Sequence, residues 1–170
     1  MKNLSLIACA DNGWAIGSKG RLLYNIPQDM AFFKAKTMGG TVIMGRKTLA
    51  SLPHGKPLKG RRNIVLTRGE LHAEGAETAH TAEEAAAMVR GGGEAFVIGG
   101  AEIYALMLPW CERAYITRVY KWTPDTDAVM PHLDKEPYWR MCDFAPAAPN
   151  TEPDGTQWRF LQFCNTRALD

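Results

Sequence analysis

Residues 95–108 read AFVIGGAEIYALML. The first four, Ala95–Ile98, form a short apolar run without alternation, which is the mark of a strand buried on both faces. Gly99-Gly100 interrupts the run, and Ala101–Leu108 follows as a short helical segment that Pro109 stops. A buried strand that turns through glycine into a helix is the repeating unit of a parallel α/β sheet.

Working outward, Leu4–Ala10, Thr41–Met44 and Asn63–Thr67 are further runs of the same kind. Helical segments lie between them. Pro27 suits a first helical position, and Gly39 or Gly40 can close that helix in the left-handed conformation. Thr81 with Glu84 three residues on is a capping box, opening an Ala-rich helix that ends at Gly91–Gly93. Toward the C-terminus, Arg113–Val119, Tyr138–Phe144 and Gln157–Asn165 read as three strands, the last two with no helix between them. Asp154-Gly155 is a hairpin signal there. The expected fold is α/β: one domain over residues 1–170, a mainly parallel, doubly wound sheet, flanking helices and an antiparallel C-terminal edge. The loops Asp11–Asn25 and Leu52–Arg62 are long and rich in Gly, Pro and Lys, as lids and binding loops are.

The bulk numbers narrow the function. A chain of 170 residues, 46% hydrophobic and 22% charged, suits one well-packed core. A formal net charge of +2 argues against a nucleic-acid or membrane-surface partner. Cys9, Cys111, Cys142 and Cys164 are scattered, with no C-x-x-C pair, so reduced and mostly buried thiols are expected. His54, His72, His80 and His132 show no ligand spacing and are assigned no chemistry; no metal is expected. The apolar run near the N-terminus is too short for a signal-peptide core, and no stretch approaches the roughly 20 apolar residues of a membrane span. The expectation is a cytoplasmic protein.

Four places could carry chemistry. Asp29 falls in the first turn of the helix opened by Pro27, beside the apolar stripe of Ile26, Met30 and Phe33. An apolar wall would raise its pKa, the helix N-terminus would lower it, and an exposed acid that merely complements the helix dipole fits the same position. Gly99-Gly100 lets a backbone approach a ligand closely, and is equally a plain tight turn. Gly45-Arg46-Lys47-Thr48 and Thr67-Arg68 place cations and hydroxyls at the carboxyl ends of two strands, which together make a phosphorylated dinucleotide more plausible than either would alone. Two solvated basic loops are a common arrangement that fits the same residues. Arg61 and Arg62 precede a strand, where one arginine could clamp a carboxylate.

Taken in order, SLIACADNGWAIG, IPQDMAFFK, VIMGRKT, GRRNIVLTR and VIGGAEIY resemble the dihydrofolate reductases of bacterial type, from Leu4 to about Asn165. The resemblance implies an eight-stranded, mostly parallel sheet and hydride transfer from NADPH to dihydrofolate, giving tetrahydrofolate for one-carbon metabolism. It also implies antifolate inhibitors as ligands, and a monomer is the default expectation.

By the same resemblance, Asp29 is the ionisable active-site group that favours protonation of the pterin, with Thr117 hydrogen-bonded to it and Leu22 and Tyr24 in the catalytic neighbourhood. Ile7, Cys9, Met30, Phe33, Leu52, Leu58, Ile98 and Tyr104 would surround the substrate, and Arg61 would pair with its glutamate carboxylate. Cys9, Ile16, Gly17, Gly45, Leu66, Ile98, Gly99, Gly100, Ala101, Ile103 and Tyr104 would meet the cofactor. Arg46, Lys47, Thr48, Thr67 and Arg68 would hold its phosphates, with Glu102 nearby. Gly99-Gly100 matches the family's cis peptide, and Asp127 a residue that steadies the lid.

Three positions depart from the pattern. Leu23-Tyr24 replaces the usual Pro-Trp before the catalytic helix, Glu102 stands where some relatives carry a basic residue, and Lys47 replaces a frequent histidine. Two other readings compete: the pyrimidine reductase of riboflavin synthesis, and an NADPH-binding protein without catalysis. The IPQDMAFFK helix and the lack of a deaminase domain speak against the first, and the set of Asp29, Thr117 and Arg61 against the second.

Overall fold

The computed structural model describes residues 1–144 and 148–170. In chain order the strands are β1 (Leu4–Ala10), β2 (Ala15–Ser18), β3 (Arg21–Leu22), β4 (Thr41–Gly45), β5 (Arg62–Leu66), β6 (Ala76–Ala79), β7 (Ala95–Val97), β8 (Arg113–Val119), β9 (Ala128–Val129), β10 (Trp139–Phe144), β11 (Asn150–Thr151) and β12 (Gln157–Asn165). The α-helices are α1 (Pro27–Thr37), α2 (Arg46–Ser51), α3 (Ala82–Val89) and α4 (Ala101–Met107).

The main sheet runs β10-β12-β8-β1-β7-β4-β5-β6, with β11 paired to β12. From β8 to β6 every pairing is parallel; β12 and β10 are antiparallel. This is the expected architecture, and its cause is visible in burial. Leu4, Leu6, Val42, Ile43, Met44, Ile64, Val65 and Val97 are wholly inaccessible, as continuous apolar strands covered on both faces must be. Chain order reverses at β1, whose neighbours are β7 on one side and β8 on the other. The crevice outside the strand ends at such a switch point is where open α/β sheets bind ligands.

The capping box closes as expected: Glu84 N donates to Thr81 Oγ1 at 3.1 Å, and His80 N to the Glu84 carboxylate at 2.7 Å. Gly39 takes a φ of 77° beyond the end of α1. Asp154-Gly155 does form a hairpin turn, but it joins β12 to the short β11, not directly to β10.

Other elements gave weaker signals. Residues 46–51, which gave no helix signal in the sequence, form α2; a six-residue segment is too short to show helical periodicity. β2, β3 and β9 make a separate small sheet inside the Asp11–Asn25 loop and its partner segment.

One expectation is overturned. Cys142 and Cys164 form a disulfide, with Cα atoms 5.8 Å apart, whereas Cys9 and Cys111 are free. Spacing along the chain concealed this. The antiparallel register of β10 with β12 sets Arg140 opposite Cys164, and the irregularity between Met141 and Asp143 brings Cys142 against it.

Candidate active site

Pro27 at the start of α1 places Asp29 in the first turn, with no side-chain cap competing for the free amides. Thr117, in β8, lies opposite Cys9 in the parallel register of β1 and is almost wholly buried. Its hydroxyl donates to Asp29 Oδ1 at 2.5 Å. Burial pushes the Asp29 carboxyl above its ordinary range, and the Thr117 hydrogen bond opposes that rise. Along the apolar stripe beside it, Ile26 is buried, Phe33 is half-buried and Met30 is 47% exposed, so this face of α1 leaves apolar surface open for a ligand.

Two β1 residues and α4 complete the floor. Tyr104 is buried, and its hydroxyl donates to Ile7 O at 2.8 Å. The Tyr104 phenol and the Cys9 thiol are both pushed far up, first by burial and then by the Asp29 carboxylate, which lies within electrostatic reach of each. Neither is a nucleophile at neutral pH.

On the other side of β7, the Gly99-Gly100 peptide is cis, as the resemblance implied. Gly45 N donates to Gly99 O at 2.8 Å, tying the end of β4 to this turn. A Cβ on Gly45 would stand 2.9 Å from Ile103, and one on Gly99 3.1 Å from the Tyr104 ring. These glycines are required by close approach. Ile98 and Ala101 flank the turn half-buried, and Thr48 Oγ1 lies beside Gly100.

The free amides at the start of α2 follow directly, with Arg46 and Lys47 exposed. Thr67 and Arg68 continue from Leu66 at the end of β5, next to β4 in the sheet. This donor set fits the phosphates of a dinucleotide: cations, hydroxyls and unpaired backbone amides converge, and glycine leaves room for the backbone approach. Arg68 is engaged by Glu102 at 3.7 Å, an ion pair open to solvent.

His80, to which sequence reasoning gave no role, also belongs here: it follows β6, and its Nδ1 lies 2.9 Å from Thr67 O. Only the pairing of β5 with β6 reveals this. The sequence signal was a polar residue just after an undetected strand.

Arg61 stands at the far end of α1. Its Nη1 donates to Thr37 Oγ1 at 3.3 Å and its Nε to Lys59 O at 3.0 Å. Arg62 is instead committed to Glu77 through two hydrogen bonds of 2.6 and 2.8 Å. The buried Asn63 shapes the Arg61 loop, accepting from Leu58 N and donating to the carbonyls of Leu58 and Arg61. Leu52 and Leu58 are half-buried on the edge of the core cluster that also includes Ile98 at its margin.

In the lid, Ile16 and Gly17 are buried, whereas Leu22 is 68% exposed. Lys19 N donates to Asp127 Oδ2 at 2.9 Å, linking the lid to the segment before β9. Tyr24 does not reach Asp29. Its hydroxyl lies 2.5 Å from Thr123 Oγ1 and 3.4 Å from Asp11 Oδ2, two partners that the sequence did not single out.

A family model described as dihydrofolate reductase matches residues 3–164. The chain belongs to the dihydrofolate reductase family. It is 40% identical over 164 residues to the dihydrofolate reductase of Neisseria meningitidis serogroup B, covering 96% of this chain and 98% of that one. To the dihydrofolate reductase of Mycobacterium leprae it is 42% identical over 138 residues, covering 79% of this chain and 84% of the relative. Among solved structures it is similar to dihydrofolate reductase from Enterococcus faecalis complexed with NADP(H) and RAB-propyl. The TM-score is 0.83 at 27% identity, with 95% of each chain covered. The fold is therefore that of dihydrofolate reductases.

Proposed function

We propose that this chain reduces 7,8-dihydrofolate to 5,6,7,8-tetrahydrofolate with NADPH, Asp29 being the group that assists protonation. The observation that carries the reading is the layout of α1. A half-buried carboxylate sits in its first turn, Arg61 is hydrogen-bonded to Thr37 in its last, and the two ends are about 12 Å apart along the axis. Between them Met30 and Phe33 present apolar surface. A substrate with a hydrogen-bonding bicyclic ring at one end, an aromatic middle and a carboxylate at the other matches that order.

When bound, NADPH supplies the hydride. The chain's own residues do the rest. Asp29, held by Thr117, accepts hydrogen bonds from the pterin's amino group and ring nitrogen, favouring protonation of the imine nitrogen and so making hydride addition easier. The backbone of Ile7 and Cys9, with Ile98 and Tyr104, sets the pterin beside the Gly99-Gly100 turn. Leu52 and Leu58 grip the aminobenzoyl part, and Arg61 pairs with the glutamate carboxylate. Arg46, Lys47, Thr48, Thr67 and Arg68 hold the cofactor phosphates. Ile16 and Gly17 cover the nicotinamide side, and Leu22 travels with the lid, whose closure excludes water.

The protein acts as a single-domain monomer in the cytoplasm, where its product serves one-carbon metabolism, and antifolates compete for the same groove. Following NADPH oxidation by the purified protein tests this reading: dihydrofolate should start it, and no rate above background would end the proposal. Sedimentation at micromolar concentration tests the monomer.

A further inference from the structure

Asp11 is the lid's first residue and is wholly buried. Its carboxylate is used on both sides. Oδ1 accepts from Gly13 N at 2.9 Å and Ala15 N at 3.0 Å, folding the leading turn of the lid onto itself. Oδ2 accepts from Thr123 N at 2.9 Å and from the Tyr24 hydroxyl at 3.4 Å. Asn12 N donates to Lys121 O at 2.9 Å, so the segment after β8 is held alongside.

Tyr24 lies at the opposite end of the lid, two residues before Ile26 caps α1. Its ring packs with Cys9 against Ile26, Val119 and Trp158, and its hydroxyl meets the Thr123 hydroxyl at 2.5 Å. Both ends of the Asp11–Asn25 loop therefore converge on one carboxylate, with Thr123 as the third strand of the knot. Lys19 at the tip is tied separately, to Asp127.

We propose that the Tyr24 hydroxyl is a clasp that joins the trailing end of the lid to its leading end, making Tyr24 a positioning residue for the lid and not a carrier of the proton destined for the pterin. Three observations lead there. The hydroxyl is spent on Thr123 and Asp11, and no hydrogen bond joins it to Asp29. Asp29 has its own partner in Thr117. A loop whose trailing end is tied to its leading end keeps fewer conformations than one hinged freely at α1, and the hydroxyl adds this tie to those made by β2, β3, β9 and Lys19. The inference rests on the reductase reading for its kinetic consequence and not for its structural one.

The test uses the intact protein with Tyr24→Phe, Thr123→Val, the double variant and Thr123→Ser. Amide hydrogen exchange without ligands should rise across residues 11–25 in Tyr24→Phe and Thr123→Val and stay unchanged in α3 and α4. Single-turnover hydride transfer should fall about fivefold in each, the loss of one net hydrogen bond, with the midpoint of its pH profile unmoved. The double variant should be no worse than either single one, and Thr123→Ser should restore both readouts.

Unchanged exchange in the lid would overturn the clasp, as would losses that add in the double variant or a shifted pH midpoint, which would mark a proton carrier. Should Tyr24→Phe fail to fold, Thr123→Val and Thr123→Ser carry the same test. Failure of wild-type protein to oxidise NADPH with dihydrofolate would refute the reductase reading alone, since exchange would still decide the clasp.

Discussion

Thr117 and Asp29 are 88 residues apart in the chain, and their hydrogen bond joins β8 to the first turn of α1. Through it the sheet opposes the rise in proton affinity that burial gives the carboxylate we propose as catalytic. Thr117→Val removes the donor and leaves the shape. The Asp29 titration, followed by its carboxyl infrared band, should move up by about one pH unit, since a hydrogen bond to a charged group is worth about 1.5–3 kcal/mol before partial compensation.

Asp29→Asn should cut hydride transfer by about a hundredfold or more at neutral pH, the scale of a lost acid–base group. The loss should shrink in acid, where substrate is already protonated. Stability should change in the other direction. Because the folded-state pKa of Asp29 is raised, its contribution is fully present below the unfolded value, near 3.8, and is lost as pH rises through the folded one. The variant should therefore match wild type in Tm near pH 3.5 and melt higher at pH 8. Equal Tm values at both would mean that the carboxylate is not desolvated.

Arg61 has a hydroxyl and a carbonyl as hydrogen-bond partners, and burial lowers its pKa. Arg61→Leu should raise KM for dihydrofolate by about tenfold to a hundredfold, the value of a charged hydrogen-bonded pair, with kcat nearly unchanged. A substrate lacking the glutamate should show no such difference between the two proteins.

Glu102 holds Arg68 at a solvent-exposed spot, so its influence is modest. Glu102→Gln should tighten NADPH binding by about twofold to fivefold at low salt, the range of exposed ion pairs, and leave NADH unaffected. At molar salt the gain should vanish. Calorimetric titration of both cofactors reads this directly.

The Cys142–Cys164 bond closes a loop of 22 residues at the sheet edge. Reduction should cost up to about 3 kcal/mol by the chain-entropy estimate. The bridge ends on β12 at Cys164, which faces Arg113 at the start of β8, four residues before Thr117, so kcat should be the same with and without reductant while Tm falls.

These outcomes also show where sequence was informative. Apolar runs such as Leu4–Ala10 and Thr41–Met44 announce strands because burial on both faces leaves no polar alternation. Asp29, Gly99-Gly100 and the basic strand ends were found because each is local: a helix position, a turn, a loop. Groups that meet only through tertiary pairing were not. His80 needed the undetected strand β6, Cys142 needed the register of β10 with β12, and Thr123 needed the fold of the lid.

The outer face of α1 has a consequence of its own. Phe32 lies against Phe160 with ring centres 4.6 Å apart and edge-on to Tyr115 at 6.2 Å, and the Lys36 ammonium sits 4.6 Å above the Tyr115 ring. The helix that carries Asp29 is thus seated on aromatic rings of β8 and β12. Substitutions at Phe160 or Tyr115 would remove part of that seat, so they should alter ligand binding along α1 from positions outside the proposed site.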